Sequence, residues 1–182
     1  MYGIINKSIE EQIIENYGEN KWIEIKANSG ISEDFFISND VYDDEVTYKL
    51  IKSISNVLKI STDLVLFNMG EWWILNTTHK KYAGLIKSGG KNLKDFIINL
   101  PDFHNHIMLM YPKIIAPEFK VTKMSENEIL LHYYSKRSSL QEFVRGLLSG
   151  LGKIYQTPIY IELVQSKNSS YDHDTFKVSW TI

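Results

Sequence analysis

The spacing of apolar residues changes character at Pro117, and that change limits the folds open to this 182-residue chain. Before it, Ile5, Ile9, Ile13 and Tyr17 recur at helical spacing, and Gly18 ends the run. A short helix is predicted around residues 21–27, closed near Ser29-Gly30. Asp43 or Asp44 can cap the next, whose face is Val46, Leu50, Ile54 and Val57. Thr62-Asp63 begins a fourth, continuing through Phe67 and Gly70 to Trp72-Trp73. Ser88-Gly89-Gly90 is the most loop-like stretch. After Asn92 the pattern predicts a short helix and then a separate one, with Pro101 in its first turn and Pro112 as its stop.

Beyond Pro117 the alternation is that of strands. Residues 119–123 and 128–137 read as an antiparallel pair joined by Ser125-Glu126-Asn127. Ser139-Leu140-Gln141-Glu142 has the pattern of a capping box, opening a helix that bears Phe143, Leu147, Leu148, Leu151 and Ile154. Two further strands are expected near residues 159–165 and 175–181. Helices followed by strands predict an α+β fold in one domain, residues 1–182. A helical amino-terminal lobe (about 1–63) and a carboxy-terminal lobe (about 64–182) with a four-stranded antiparallel sheet and helices would leave a crevice between them. With 43% hydrophobic residues the chain can fill a sizeable core.

Charge and composition exclude several classes. A net charge of −2 without a basic cluster argues against nucleic acid as a partner. Zero cysteines exclude a disulfide framework and a thiolate-held metal. Asn6, Lys7, Glu10 and Glu11 make the amino terminus too polar for a signal peptide, and no apolar run approaches transmembrane length. A soluble cytoplasmic protein without a membrane partner is expected.

Two segments carry chemistry. From Glu128 onward, Ile129, Leu131, Tyr133, Ser135 and Arg137 fall on one strand face that starts apolar and ends rich in donors. Arg137 can grip a carboxylate through two parallel bonds, with the Tyr133 and Ser135 hydroxyls as single donors. Such a face suits an apolar ligand with carboxylates along one edge; the plainer alternative is a strand leaving the core with a solvated tip. In the second segment His104 shares a helix face with Ile107, Met108 and Tyr111, while His106 points elsewhere. A neutral imidazole there is a good iron ligand, or simply a satisfied core histidine. The other histidines carry less: His79 sits in a polar loop, His132 faces away from Tyr133, and Asp172-His173-Asp174 reads as a solvated edge. Glu10-Glu11 and Asp43-Asp44-Glu45 read as surface charge and first-turn anions.

Taken together these residues resemble the haem nitric oxide/oxygen binding (H-NOX) family, related to the sensor of soluble guanylate cyclase. The resemblance rests on His104, Tyr111-Pro112, Pro117 in Ala116-Pro117-Glu118-Phe119, and Tyr133-x-Ser135-x-Arg137. Met1-Tyr2-Gly3-Ile4-Ile5-Asn6-Lys7, Gly146-x-x-x-Gly150 and Asp172-His173-Asp174 extend it over essentially the whole chain.

The resemblance implies haem b (iron-protoporphyrin IX) in the crevice, with His104 as proximal ligand and Tyr133, Ser135 and Arg137 holding the propionates. Without cysteine the haem would be non-covalent. The family's proline at the Pro117 position packs against the porphyrin and distorts it, helped by the residue at Ile5; Pro117 reads equally as a helix-to-strand breaker. Oxygen-holding members carry a tyrosine early in the helix after the arginine, with polar partners. Here, allowing one extra residue of spacing, those positions are Phe143, Ile9 and Trp73. Bound oxygen needs a hydrogen-bond donor far more than nitric oxide or carbon monoxide does, and Phe143 and Ile9 cannot donate. The expected function is a sensor of nitric oxide and carbon monoxide that discriminates against oxygen and performs no catalysis. Nitric oxide would lengthen or break the iron–His104 bond and free the His104 helix. With the chain ending at Ile182, the output is expected on another polypeptide, a histidine kinase or a cyclic-di-nucleotide signalling enzyme. The alternatives are an oxygen sensor with Trp73 as donor, a haem enzyme such as a peroxidase, and a binder of some other amphiphilic acid, which leaves His104 without a task.

Overall fold

The computed structural model describes residues 1–78, 84, 86–109 and 117–181. Helix α1 (Gly3–Tyr17) gives way to α2 (Glu19–Ser29) at Gly18, whose φ of 87° disfavours any side chain. Asp43 caps α3 (Asp44–Leu58), its carboxylate accepting from the Glu45 N–H at 2.8 Å. Ser61 caps α4 (Thr62–Trp72) by accepting from the Leu64 N–H at 3.2 Å. One turn of π-helix (Trp73–Thr78) extends α4, followed by α5 (Leu93–Leu109) and α6 (Gln141–Ile154).

Strands β1 (Glu118–Lys123), β2 (Glu128–Tyr134), β3 (Ile159–Gln165) and β4 (Asp174–Trp180) form one antiparallel sheet ordered β1-β2-β4-β3. The α+β class and the four-stranded antiparallel sheet are as the sequence predicts. Ile129, Leu131, Tyr133, Phe176 and Val178 point inward from the two central strands and are buried together with Phe96 and Ile97 of α5 and Leu148 of α6. A second apolar cluster joins Ile9 and Ile13 of α1, Leu50 and Ile54 of α3, and Leu66 and Met69 of α4, with Phe143 packed against it. The two clusters meet where α4 crosses α6 almost backbone to backbone. A Cβ on Gly70 would lie 2.1 Å from the Phe143 carbonyl oxygen, and one on Gly146 2.0 Å from that of Phe67.

Four local expectations fail. Residues 93–109 form one helix with Pro101 inside it, not two helices. The ring removes the bond to the Ile97 carbonyl at a cost of about 3 kcal/mol, which burial of Leu93, Phe96 and Ile97 along the same helix offsets. Ser88 and Gly89 are helical, and the glycines serve close packing: a Cβ at Gly90 would lie 2.3 Å from the Phe96 nitrogen. The predicted capping box does not form. Ser139 adopts φ 59°, a left-handed turn ahead of α6, Leu140 precedes α6 without a side-chain cap, and Glu142 pairs with Arg145. Finally β2 stops at Tyr134, because Ser135 Oγ accepts from the Arg137 N–H at 3.1 Å and bends the backbone away. Tyr111, Pro112, Ala116 and His79 lie outside the described residues.

Candidate functional site

Helix α5 lies against β1, and this contact places His104. Its ring meets Phe119 edge-on, centroids 5.0 Å apart at 79°, and Phe119 in turn packs at 5.4 Å on Tyr133, its register partner on β2. Burial holds the His104 imidazole below the ordinary histidine range, so it is neutral with a nitrogen lone pair for a metal. His106 is exposed and bonded through Nδ1 to the Asp102 carbonyl at 2.8 Å. The two histidines therefore face different surroundings, as their spacing implies.

Tyr133, only 4% exposed, ends the aromatic row. Burial pushes its phenol up, partly countered by a hydrogen bond from Ser135, so the group stays protonated and able to donate. Arg137 leaves the sheet line and reaches α3, where Nε donates to Asp44 Oδ2 at 2.7 Å and Nη2 to Oδ1 at 3.1 Å. The Met1 ammonium donates to the same carboxylate at 2.7 Å. One turn further along α3, the Tyr48 hydroxyl donates to the Ser138 carbonyl at 3.3 Å. Asp44 thus ties the chain terminus and α3 to the segment after β2, a role that its reading as a first-turn anion does not contain.

Burial alone would raise the Asp44 carboxyl, but the Arg137 guanidinium and the Met1 ammonium hold it below the ordinary range. A depressed folded-state pKa stabilises the fold fully above the unfolded value, about 3.9, and the effect is lost as pH falls through the folded value. Asp44→Asn should therefore melt below the wild type at pH 7, with the gap closing on acidification below that range. Thermal melts across pH measure it; a gap independent of pH would remove the ion pair from the account.

On the other side of the fold, Ile5, Ser8, Ile9 and Gln12 present one face of α1 at helical spacing. With Met69, Trp73 and Phe143 they line a cavity of about 10 Å³, at the lower limit for one water molecule. Ser8 Oγ is bonded to Thr77 Oγ1 of the π turn at 2.7 Å, and Gln12 Nε2 donates to the Asn68 carbonyl at 3.0 Å. Ser8 and Gln12 are thus engaged with the protein, and the Trp73 indole N–H is the third polar group on the wall.

The structure gathers the predicted residues into two sets. His104 on α5, Tyr133 at the end of β2 and Ser135 just beyond it form one set, with Pro117 half-buried just ahead of β1, while the Arg137 guanidinium turns to Asp44 on α3. Ile5, Ile9, Trp73 and Phe143 surround the small cavity. Sequence reasoning missed Phe119, Asp44, Tyr48 and Met69, whose contacts all cross between distant segments. Only the antiparallel pairing of β1 with β2 could have pointed to one of them, Phe119. A neutral imidazole, a guanidinium with neighbouring hydroxyl donors, and apolar side chains fit haem: the first would serve the iron, the second the propionates in exchange for its present bonds to Asp44, the third the ring.

A Haem-NO-binding family model matches residues 2–163. Soluble guanylate cyclase gcy-32 of Caenorhabditis elegans is 33% identical over 156 residues, which cover 84% of this chain and 23% of that protein. Soluble guanylate cyclase gcy-31 of the same organism is 28% identical over 165 residues, covering 90% and 24%. The chain thus spans about a quarter of the length of these relatives. An H-NOX protein from S. oneidensis in the Fe(II)NO ligation state superposes with a TM-score of 0.89 at 18% identity, covering 100% of both chains. The Fe(II) unliganded H-NOX protein from K. algicida gives 0.87 at 20%, covering 100% of this chain and 97% of its own. These two share the fold. No described helix is long and apolar enough to cross a membrane. With the family model spanning residues 2–163, the chain belongs to the haem-NO-binding (H-NOX) family.

Proposed function

We propose that this domain is a haem-based gas sensor that holds haem b non-covalently, takes nitric oxide and carbon monoxide, discriminates against oxygen and passes the signal to an effector. The observation that carries the reading is the row His104–Phe119–Tyr133, which sets a neutral imidazole at one end and hydroxyl and guanidinium donors at the other. When bound, haem supplies the ferrous iron at which a diatomic gas is held. His104 holds the metal, Tyr133, Ser135 and Arg137 orient the carboxylate edge, and Pro117 with Ile5 bounds the ring. Pro101 interrupts the hydrogen-bond ladder of α5 one turn before His104, so a change in the pull on that histidine is transmitted through a helix with a weak point.

Oxygen discrimination is supported by the cavity wall. Ile5, Ile9, Met69 and Phe143 cannot donate, Ser8 and Gln12 are bonded to the protein, and the Trp73 indole N–H is the remaining donor on the wall. No histidine or carboxylate lines this cavity, which disfavours a peroxidase. Effectors to try first are a histidine kinase and a cyclic-di-nucleotide signalling enzyme.

The wild type should show a Soret band that shifts with nitric oxide and no stable ferrous–oxy spectrum in air. Phe143→Tyr adds one hydroxyl to the cavity wall. A donor to bound oxygen there is worth roughly 1–3 kcal/mol, about one to two powers of ten in affinity. The variant should form an oxy spectrum at least transiently, with nitric oxide binding little changed. A stable oxy complex in the wild type would overturn the discrimination and make Trp73 the donor.

A further inference from the structure

His132 and Tyr133 are successive residues of β2, so the face of the sheet away from the core carries a cluster of its own. His132 Nδ1 and His173 Nε2 approach to 3.1 Å. Their far nitrogens are each held by an oxygen: His132 Nε2 lies 3.1 Å from Thr122 Oγ1 of β1, and His173 Nδ1 2.7 Å from Asp172 Oδ1. The Tyr134 ring stacks on His173 at 4.3 Å and 25°, which fixes the plane of that imidazole. Thr175 Oγ1 stands 3.3 Å from His132 Nδ1, and the Gln165 amide nitrogen 3.4 Å from His173 Nε2, a place the amide oxygen takes if the group turns over. Two ring nitrogens, a hydroxyl and an amide therefore converge from β2, β4 and β3, while both rings are oriented from behind. The Asp172-His173-Asp174 run is thus more than the solvated edge its sequence suggests.

A single shared proton satisfies the pair. With Asp172 accepting from His173 Nδ1–H, His173 Nε2 can only accept, so His132 Nδ1–H donates to it and His132 Nε2 accepts from Thr122. A cation that prefers nitrogen can replace that proton and engage both rings. The carboxylate behind His173 and the hydroxyl behind His132 are the outer partners that metal-ligating histidines usually have. Burial first, then His173 and Lys120, keep His132 below the ordinary histidine range, and the neutral ring is the ligating form.

We propose that His132 and His173 form a site for a divalent transition-metal cation of the Zn²⁺ or Cu²⁺ class, separate from the haem site, with Thr175, the Gln165 amide oxygen and water completing its coordination. Two imidazoles select such ions over Mg²⁺ and Ca²⁺, which take oxygen ligands. No group of three histidine, cysteine or carboxylate ligands occurs among the described residues. Binding is accordingly weaker than at a four-ligand structural zinc site and reversible.

The test is calorimetric titration of Zn²⁺ into haem-loaded protein. One saturable equivalent is expected, with the Soret band unmoved because the site is on the far face of the sheet from Tyr133. His173→Gln should weaken binding at least tenfold, and Asp172→Asn, which keeps both ligands, by about tenfold. His106→Gln, which removes an exposed histidine elsewhere, should change nothing. Asp172 is 82% exposed, so its replacement leaves the fold intact and decides the question alone if the histidine variant fails to fold. Absence of saturable binding in the wild type, or unchanged affinity in Asp172→Asn and His173→Gln, would overturn the site.

Discussion

His104→Gly should yield a folded protein that retains little haem and recovers it when free imidazole is supplied. The substitution costs the fold little: glycine in a helix interior is about 1 kcal/mol worse than alanine, and the His104 ring contact recorded in the structure is the edge of Phe119. On the proposed assignment haem would lose its bond from His104 to iron, whereas Tyr133, Ser135 and Arg137 would offer hydrogen bonds to its periphery alone. Imidazole diffusing into the vacated space restores a nitrogen ligand without restoring the link to α5. The ratio of Soret to protein absorbance after desalting, with and without imidazole, measures the effect. A normal ferrous spectrum without imidazole would refute the axial assignment. His106, next in line by spacing, is exposed and bonded to the Asp102 carbonyl.

Gly146→Val should be the most damaging apolar substitution in α6. Even a lone Cβ there would lie 2.0 Å from the Phe67 carbonyl oxygen and 2.9 Å from the Glu71 nitrogen, and backbone cannot step aside as a flexible side chain can. Helices α4 and α6 must separate, which loosens Met69 and Phe143 on the cavity wall and unpacks Val144 and Leu148. Overpacking of this kind costs about 3 kcal/mol or more, a large share of the 5–15 kcal/mol that holds a typical domain together. For a chain of this size that corresponds to a fall in melting temperature of roughly 6–12 °C. An unchanged melt would mean that the two helices do not cross at these glycines.

Asp44 shows why part of the site could not be read in advance. In the sequence it is the second of three acids at a helix start, where the macrodipole alone explains it. Its partner Arg137 is 93 residues away, in the segment that Ser135 turns out of β2. Phe119 is similar: nothing marks it beside Pro117 until β1 pairs with β2 and sets it between His104 and Tyr133. The π turn at Trp73–Thr78 is invisible to periodicity because one turn is too short to shift the apolar pattern, yet it brings Thr77 to Ser8.

The residues that must exist for the chemistry, and the elements that bear them, were decided locally. Helical spacing before Pro117, alternation after it, the histidine on an apolar face and the Tyr133-x-Ser135-x-Arg137 run depend on neighbours within a few positions, so the sequence carries them openly. What α5 does at Pro101, how α6 begins and which carboxylate meets Arg137 were decided by tertiary packing. Burial along a whole helix outweighs one lost backbone bond, and a contact between distant segments leaves no trace in either segment alone.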